Sequence, residues 1–191
     1  SLAKQTQPHT VIVVDNGSVD GSVEMLHENH KDIVVIAHQA NKGFTGGVNA
    51  GLARAGELGL EYAALLNNDA VADTNWLKEL VHAADKDNNV GIVTSKLMRS
   101  DKKHLDSAGE FYSVFAMPFS RGRNEVDHGQ YDTPEYVFGA SGGASLYRVK
   151  MLNKLGLFDD DYFAYFEDSD ISFRTQLAGW KVWYQPNAIV Y

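Results

Sequence analysis

Short apolar runs rich in aliphatic residues alternate with segments of helical periodicity along the first half of the chain. The strand candidates are residues 11–15, 33–37, 62–66 and 90–94, and the helix candidates are residues 22–29, 47–58 and 74–87, the last with Thr74 as its cap. This alternation predicts an α/β fold, with a mostly parallel, twisted sheet and helices on both faces. A length of 191 residues with 44% hydrophobic content favours a single domain over residues 1–191.

The pattern changes in the second half. Residues 105–136 form an irregular stretch with scattered aromatic residues, and such a long irregular passage in a compact domain is typical of a functional loop. The elements predicted beyond it are a strand at 144–147, helices at 150–155 and 167–178, and extended segments at 180–184 and 188–191. The later helix begins with several acidic residues, where the helix dipole stabilises negative charge.

Polar residues follow the first three predicted strands. Asp15 ends the first strand, residues 41–43 close the loop after the second, and residues 67–69 follow the third. In open α/β sheets, ligands bind in the crevice beyond the carboxyl ends of the strands. The sequence therefore predicts a ligand crevice lined by these three segments.

Composition excludes several classes of function. The formal charge of −8 disfavours binding to nucleic acid, which requires a dense basic surface. The chain has no cysteine, so it has no disulfide, thiolate metal site or cysteine nucleophile. No apolar run approaches the roughly 18 residues that a membrane span requires, and the first residues do not form a signal peptide. We therefore expect no membrane span and a cytoplasmic location.

Four motifs resemble those of the family 2 glycosyltransferases of the GT-A fold. They are VVDNGSVDGS at 13–22, NKGFTGGVN at 41–49, LLNND at 65–69 and YFEDSD at 165–170. Within the family, the likeness is greatest to the rhamnosyltransferase-like branch that builds bacterial surface polysaccharides. Each motif alone is weak, but four in the expected order along nearly the whole chain are specific.

The resemblance implies that the first two motifs bind a nucleotide-sugar donor. Asp15 would contact the base, although an Asp that initiates a tight turn has the same position. Asn41, Gly43 and Gly47 would lie close to the diphosphate, since glycine permits close backbone approach. Asn49 would orient the neighbouring metal loop. A loop that simply leads into a helix explains the glycines equally well.

The third motif occupies the position of the family's metal-binding Asp-x-Asp sequence. Mg²⁺ and Mn²⁺ prefer oxygen ligands and often take only one or two carboxylates, with substrate phosphates completing the shell. The resemblance implies that Asp69 is the metal ligand, while Asn67 and Asn68 contact the donor or a metal-bound water. Asn67 replaces the first acid of the motif and brings no charge. An Asn-rich turn is the alternative.

The fourth motif implies the catalytic base. An inverting transfer needs a base that takes the proton of the acceptor hydroxyl. By resemblance, Asp168 has this role, and Glu167 binds the acceptor or aligns the site. Asp170 is explained by a pair with Arg174 one turn later. The alternative is that all three acids only cap the helix.

The resemblance also implies that the chain is shortened at both ends. Family members have a central first strand ahead of Ser1 and a metal-binding histidine beyond the segment that ends at Tyr191. A sheet without its first strand would have unpaired edges, which favour homo-oligomerisation.

Three hypotheses follow from these motifs. The first is an inverting, metal-dependent glycosyltransferase that uses a UDP- or dTDP-sugar and a saccharide or lipid-linked saccharide acceptor, the latter at the inner face of the membrane. The second is a noncatalytic nucleotide-sugar or glycan-binding remnant. The third is a sugar-phosphate nucleotidyltransferase, which shares a related sheet, but its Gly-rich, Arg-bearing loop is not found in the sequence.

Overall fold

The computed structural model describes residues 1–115 and 117–191. After a short 3-10 helix at Leu2–Lys4, the helices are α1 Ser22–Asn29, α2 Gly43–Glu57, α3 Trp76–Lys86, α4 Val149–Leu155 and α5 Glu167–Leu177. The strands are β1 Ile12–Asp15, β2 Val34–Ala37, β3 Tyr62–Leu66, β4 Val90–Met98, β5 Leu105–Ser107, β6 Glu110–Tyr112, β7 Pro118–Ser120, β8 Glu135–Val137, β9 Ala144–Arg148 and β10 Lys181–Val190.

A six-stranded sheet forms the centre of the molecule, in the order β3-β9-β4-β10-β8, with β5 paired to the end of β4. Strands β3, β4 and β10 run in one direction, whereas β9, β8 and β5 run in the other. The predicted α/β class is confirmed. The sheet is mixed and not mostly parallel, because β9 follows the 105–136 stretch and inserts between β3 and β4.

Helices cover both faces of this sheet, as predicted. Successive side chains of β4 point to opposite faces, so Ile92 and Val93 belong to different apolar clusters. Trp76 of α3 packs with Val93, while Met151 of α4 and Ile171 of α5 pack with Ile92. The helices that carry the predicted site residues, α2 and α5, therefore lie on the face opposite α3.

Strands β1 and β2 form a separate parallel pair. Among the described residues, β1 pairs only with β2, and β3 pairs only with β9, so the small sheet is not hydrogen-bonded to the large one. Within the described residues, β1 and β3 therefore each have one edge without a paired strand.

Two helices begin at other residues than predicted. Helix α2 begins at Gly43 and not at residue 47, because the Asn41 side chain accepts a hydrogen bond from the Gly43 N–H at 2.8 Å. Glycine has low helix propensity, so local pattern predicts a loop there. The prediction that Thr74 caps α3 is wrong, since Asn75 precedes the first helical residue.

The two extended segments near the C-terminus form one strand, β10, whose pairing with β4 shifts register between Gln185 and Ile189. Pro186 lies in this interval and has no N–H to donate. The 105–136 stretch is also more ordered than predicted, because it contains β5, β6, β7 and the start of β8. The buried Lys96 of β4 holds it through ion pairs to Asp127 and Asp132, both at 2.7 Å.

Candidate active site

Asp15 lies at the carboxyl end of β1 and is buried. One of its carboxylate oxygens accepts hydrogen bonds from the N–H groups of Gly17 and Ser18, at 3.1 and 2.9 Å. Hydrogen bonds from Ser18, followed by that from Gly17, hold the pKa of Asp15 below its usual value. Asp15 therefore stabilises the turn with one oxygen, and its second oxygen is the atom with which it would contact a donor.

Asn16, the residue that follows β1, connects this strand to the Asn41 segment. Its amide nitrogen donates to the Asn41 side-chain oxygen at 3.0 Å and to the Gly43 carbonyl at 2.7 Å. Its own side-chain oxygen accepts from the Lys42 N–H at 3.0 Å. The first two motifs are therefore joined at the carboxyl ends of β1 and β2, as the strand-end rule predicts. No local sequence pattern marks this role of Asn16.

Gly43 brings the start of α2 against the loop that precedes α5. Its φ of 75° lies in the left-handed region, and a Cβ at this position would overlap the carbonyl oxygen and ring of Phe163. Gly47, one turn later, lies beside Asn16, with 3.7 Å between the position of a Cβ and the Asn16 amide nitrogen. The glycines of the second motif thus permit close packing between two segments of the site.

Gly43→Ala should destabilise the fold more than Gly59→Ala. Both glycines have a positive φ, but no atom lies within 4 Å of a Cβ at Gly59. We expect Gly59→Ala to cost roughly 1 kcal/mol from the left-handed backbone alone. Gly43→Ala adds the displacement of Phe163 and should cost roughly twice as much or more. Urea unfolding of both variants measures the difference, and equal losses would contradict the close approach.

Asn49 lies in the second turn of α2, not at its start as predicted. Its side chain donates to the Phe158 carbonyl at 2.9 Å and to the Asp160 carboxylate at 2.8 Å, and it accepts from the Phe158 N–H at 3.0 Å. The amide of Asn49 thus holds the loop that leads toward α5. The predicted contact with the metal loop would require these bonds to open.

The third motif forms an exposed turn after β3. Asn67, Asn68 and Asp69 are exposed, and the Asn67 N–H donates to the Gly143 carbonyl at 2.9 Å. Asn67, Asp69 and Gly143 line an open cleft of about 470 Å³. The structure thus places the predicted metal ligand at the carboxyl end of β3, in a cleft with room for a ligand.

The donor set of this turn suits a hard cation held jointly with a substrate. Asp69 offers carboxylate oxygens and Asn67 an amide oxygen to the cleft. Among the described residues, no three side chains of His, Asp or Glu are grouped so as to enclose a metal ion. A single carboxylate with phosphate oxygens and water is the arrangement in which Mg²⁺ commonly binds to phosphorylated substrates.

Asp168 contacts the same backbone segment as the turn of residues 67–69. Its carboxylate accepts from the Gly142 N–H at 3.0 Å and from the Ser169 N–H at 2.8 Å. A Cβ at Gly142 would lie 3.3 Å from the Phe44 ring and 3.5 Å from the Asp168 Cβ. Gly142 therefore lies between α2 and α5, directly before Gly143, to which Asn67 is bonded. The structure brings the second, third and fourth motifs together around this segment.

Backbone strain occurs immediately before Glu167 and Asp168, the predicted catalytic residues. Tyr165 and Phe166 have φ values of 74° and 70°, which is uncommon for residues with a side chain. Their rings are largely exposed, so apolar burial does not explain this conformation. Strain of this kind concentrates at active sites and ligand clamps. With Tyr165 and Phe166 in this conformation, the next residue, Glu167, is directed into the protein.

Glu167 is 5% exposed, and its Oε2 has no hydrogen-bond partner among the described residues. Burial is the main reason that the pKa of Glu167 is raised, and the negative charge of Asp168 raises this pKa further. Of the two roles predicted for Glu167, this burial favours alignment of the site over direct contact with an acceptor.

Glu110 of β6 is a member of this acidic group that the sequence analysis misses. It is 9% exposed, and burial, followed by repulsion from Asp168, raises the pKa of Glu110 to about 8. The hydroxyl of Tyr147, on β9, is also buried, and its pKa is raised by burial and by Asp168, Glu110 and Glu167. In the sequence, Glu110 is an isolated acidic residue in an aromatic stretch. This pattern predicts an exposed loop residue and not a buried one.

The stability of the fold should depend on pH through Glu110. The folded protein retains a proton that the unfolded chain releases above about pH 4.5, so stability falls as pH rises toward about 8 and then levels off. At about 1.4 kcal/mol per pH unit, the loss between pH 5 and pH 7 is on the order of 3 kcal/mol. Glu110→Gln should abolish most of this slope in urea unfolding. Glu24→Gln, an exposed control on α1, should retain it; parallel slopes in all three proteins would contradict the assignment.

Arg121, which lies in the 105–136 stretch, is buried. Its guanidinium pairs with Glu135 at 2.8 Å and lies over the Tyr131 and Tyr184 rings, at 4.6 and 5.0 Å from their centroids. It therefore stabilises the 105–136 stretch against β10.

Of the helices that the structure describes, none combines the length and apolar character needed to cross a bilayer.

Comparison with known proteins agrees with the family that the motifs imply. The chain is similar to the N-acetylglucosaminyl-diphospho-decaprenol L-rhamnosyltransferase of Mycobacterium tuberculosis. The two are 27% identical over an alignment 209 residues long, which covers 100% of this chain and 68% of that protein. It is 21% identical over 190 residues to the poly-beta-1,6-N-acetyl-D-glucosamine synthase of Staphylococcus aureus, with 98% and 43% covered. The chain thus spans less than half of the second relative.

The structure is similar to the crystal structure of GalNAc-T7 with UDP, GalNAc and Mn²⁺. The TM-score is 0.79 at 16% identity, and the match covers 99% of this chain and 38% of that chain. This likeness supports the GT-A fold that the motifs imply. The family model described as glycosyl transferase family 2 matches residues 1–156, most of the chain. The chain therefore belongs to glycosyl transferase family 2.

Proposed function

We propose that this chain transfers a sugar, with inversion, from a UDP- or dTDP-sugar to a saccharide acceptor in the synthesis of a surface polysaccharide. The observation that carries this proposal is the convergence on Gly142 and Gly143. Asn67 bonds to Gly143, Asp168 bonds to Gly142, and Phe44 packs against Gly142. The proposed phosphate-binding turn and the proposed general base therefore contact adjacent residues of one backbone segment, and such proximity is what group transfer requires.

In the proposed reaction, Asp168 takes the proton from the acceptor hydroxyl as that oxygen forms a bond to the anomeric carbon. The bond from the anomeric carbon to the diphosphate breaks, and the nucleoside diphosphate leaves with the bonding electron pair. The Gly142 N–H holds the Asp168 carboxylate in position for this step. Asp69, with Asn67, would hold Mg²⁺ or Mn²⁺, which when bound stabilises the charge of the leaving diphosphate.

The nucleoside of the donor would lie at the carboxyl end of β1. There the second oxygen of Asp15 would accept from the base or ribose, and Asn16, Asn41 and Gly43 shape the adjoining backbone. The relative from M. tuberculosis is named for a diphospho-decaprenol substrate. A lipid-linked saccharide is therefore an acceptor to test. Use of such an acceptor would fit the predicted cytoplasmic location at the inner face of the membrane.

Thermal unfolding with a panel of nucleotides tests the donor class. UDP or dTDP with Mn²⁺ should raise the melting temperature, because a ligand that binds only the folded state stabilises it. The shift should be smaller with EDTA, and ATP serves as the control nucleotide. Equal shifts with ATP, or none with any nucleotide, would contradict the proposal.

A noncatalytic nucleotide-sugar or glycan-binding domain is the second candidate. The unpaired edge of β1 in the described part of the chain favours it, because the proposed pocket for the base borders this strand. Hydrolysis of the donor distinguishes the two candidates. A binder would show the thermal shift without releasing UDP or dTDP, and a transferase should release the nucleotide slowly in the absence of an acceptor.

A further inference from the structure

Behind the first turn of α5, three elements contribute buried polar atoms that have no hydrogen-bond partner among the described residues. These atoms are Oε2 of Glu110 on β6, Oε2 of Glu167 on α5 and the hydroxyl of Tyr147 on β9. Buried polar atoms are nearly always paired in folded proteins, so three in one place call for an explanation. Two ionised carboxylates buried side by side would be strongly unfavourable.

Glu110 is attached to the backbone that holds Asp168. The Glu110 N–H donates to the Gly139 carbonyl at 2.9 Å, and the Gly139 N–H donates back to the Glu110 carbonyl at 3.2 Å. The Glu110 Oε2 lies 3.4 Å from the position of a Cβ on Gly139, next to Ser172. Three residues after Gly139, the Gly142 N–H binds the Asp168 carboxylate. The segment 139–142 is thus bonded to Glu110 at its first residue and to Asp168 at its last.

The groups that face Glu110 decide its charge. The titratable ones are Asp168 and Glu167 on α5 and Tyr147 on β9, and a hydrogen bond from Ser169 partly offsets their effect. No cation contributes to the shift of Glu110. Burial beside two acids favours the uncharged form of a carboxyl group.

We propose that Glu110 is a positioning residue of the transfer site, whose uncharged carboxyl group packs behind Asp168 and holds the first turn of α5 in place. This inference rests on the proposed role of Asp168 as the base. When Glu110 ionises, a further negative charge arises among buried acids. The side chains then separate toward water, and the bond between Gly142 and Asp168 is lost. The site therefore has an upper pH limit that the protein sets through Glu110.

The pH profile of donor hydrolysis with Mg²⁺ tests this inference. For the unaltered protein, we expect kcat to fall above about pH 8, by roughly tenfold one pH unit above the midpoint, because about one tenth of Glu110 then remains neutral. Glu110→Gln cannot ionise, so its kcat should change by less than about twofold over the same range. A Glu110→Gln profile that falls like that of the unaltered protein would overturn the proposal.

Carbon NMR of 13Cδ-labelled glutamate gives a readout that does not depend on activity. The Glu110 signal of the unaltered protein should titrate near pH 8, and its midpoint should fall in Asp168→Asn, which removes the nearest like charge. A normal carboxyl midpoint would overturn the inference. If Asp168→Asn instead retains full activity while Glu110 titrates near pH 8, the proposed base is wrong and the charge state of Glu110 is not.

Discussion

Asp168→Asn should lower kcat by about 10²- to 10⁴-fold, the usual contribution of a general base. Asparagine has the size of aspartate, and its single oxygen can still accept the hydrogen bond from the Gly142 N–H while the bond from the Ser169 N–H is lost, so the fold and the position of the side chain should persist. Its amide cannot take a proton from the acceptor hydroxyl. The affinity for UDP, measured by calorimetry, should change little, because Asp168 does not hold the donor in the proposed reaction.

Asp170→Asn is the matched control for this experiment. Asp170 lies in the same turn, but its carboxylate pairs with Arg174 at 2.8 Å. Removing a partly exposed pair at this spacing costs about 0.3–0.5 kcal/mol of stability, and kcat should stay within about threefold. Similar losses of kcat in Asp168→Asn and Asp170→Asn would indicate damage to the helix start, and full activity of Asp168→Asn would exclude it as the base.

Asp69→Asn should weaken metal-dependent binding of the nucleotide. The substitution removes the negative charge of the turn but retains its shape, so the affinity for UDP in the presence of Mn²⁺ should fall by roughly tenfold or more, about 1.4 kcal/mol. The affinity in EDTA should be nearly the same in both proteins. Titration calorimetry with and without the metal separates these two effects.

Two further substitutions in the cleft test the role of Asp69. One is a control at Asp106, and the other adds a carboxylate at Asn67. Asp106 lines the same cleft and lies 3.8 Å from Arg99, so Asp106→Asn tests whether any acid in the cleft has the same effect. Asn67→Asp adds a second carboxylate to the turn and should raise the affinity for Mn²⁺. If Asp106→Asn abolishes the metal effect while Asp69→Asn does not, the metal ligand is Asp106.

Local sequence predicts much of this fold because secondary structure is encoded over short spans. Helix α1 and strand β3 have the predicted bounds, since their apolar periodicity and flanking turn residues lie within the same few residues. The positions of Asp15 and Asp69 after their strands follow from the same pattern. Predictions fail where a distant residue overrides local preference, as when α2 begins at Gly43 with the help of Asn16 and Asn41.

The sequence by itself determined the family, the order of the elements and the segments that carry the chemistry, because each motif is contiguous. Only the tertiary structure decided which atoms meet: the contact of Gly43 with Phe163, the shared support of Asn67 and Asp168 by Gly142 and Gly143, and the burial of Glu110. Burial and close approach depend on residues that are far apart along the chain. The charge of a carboxyl group such as Glu110 follows from that environment and cannot be read from its neighbours in sequence.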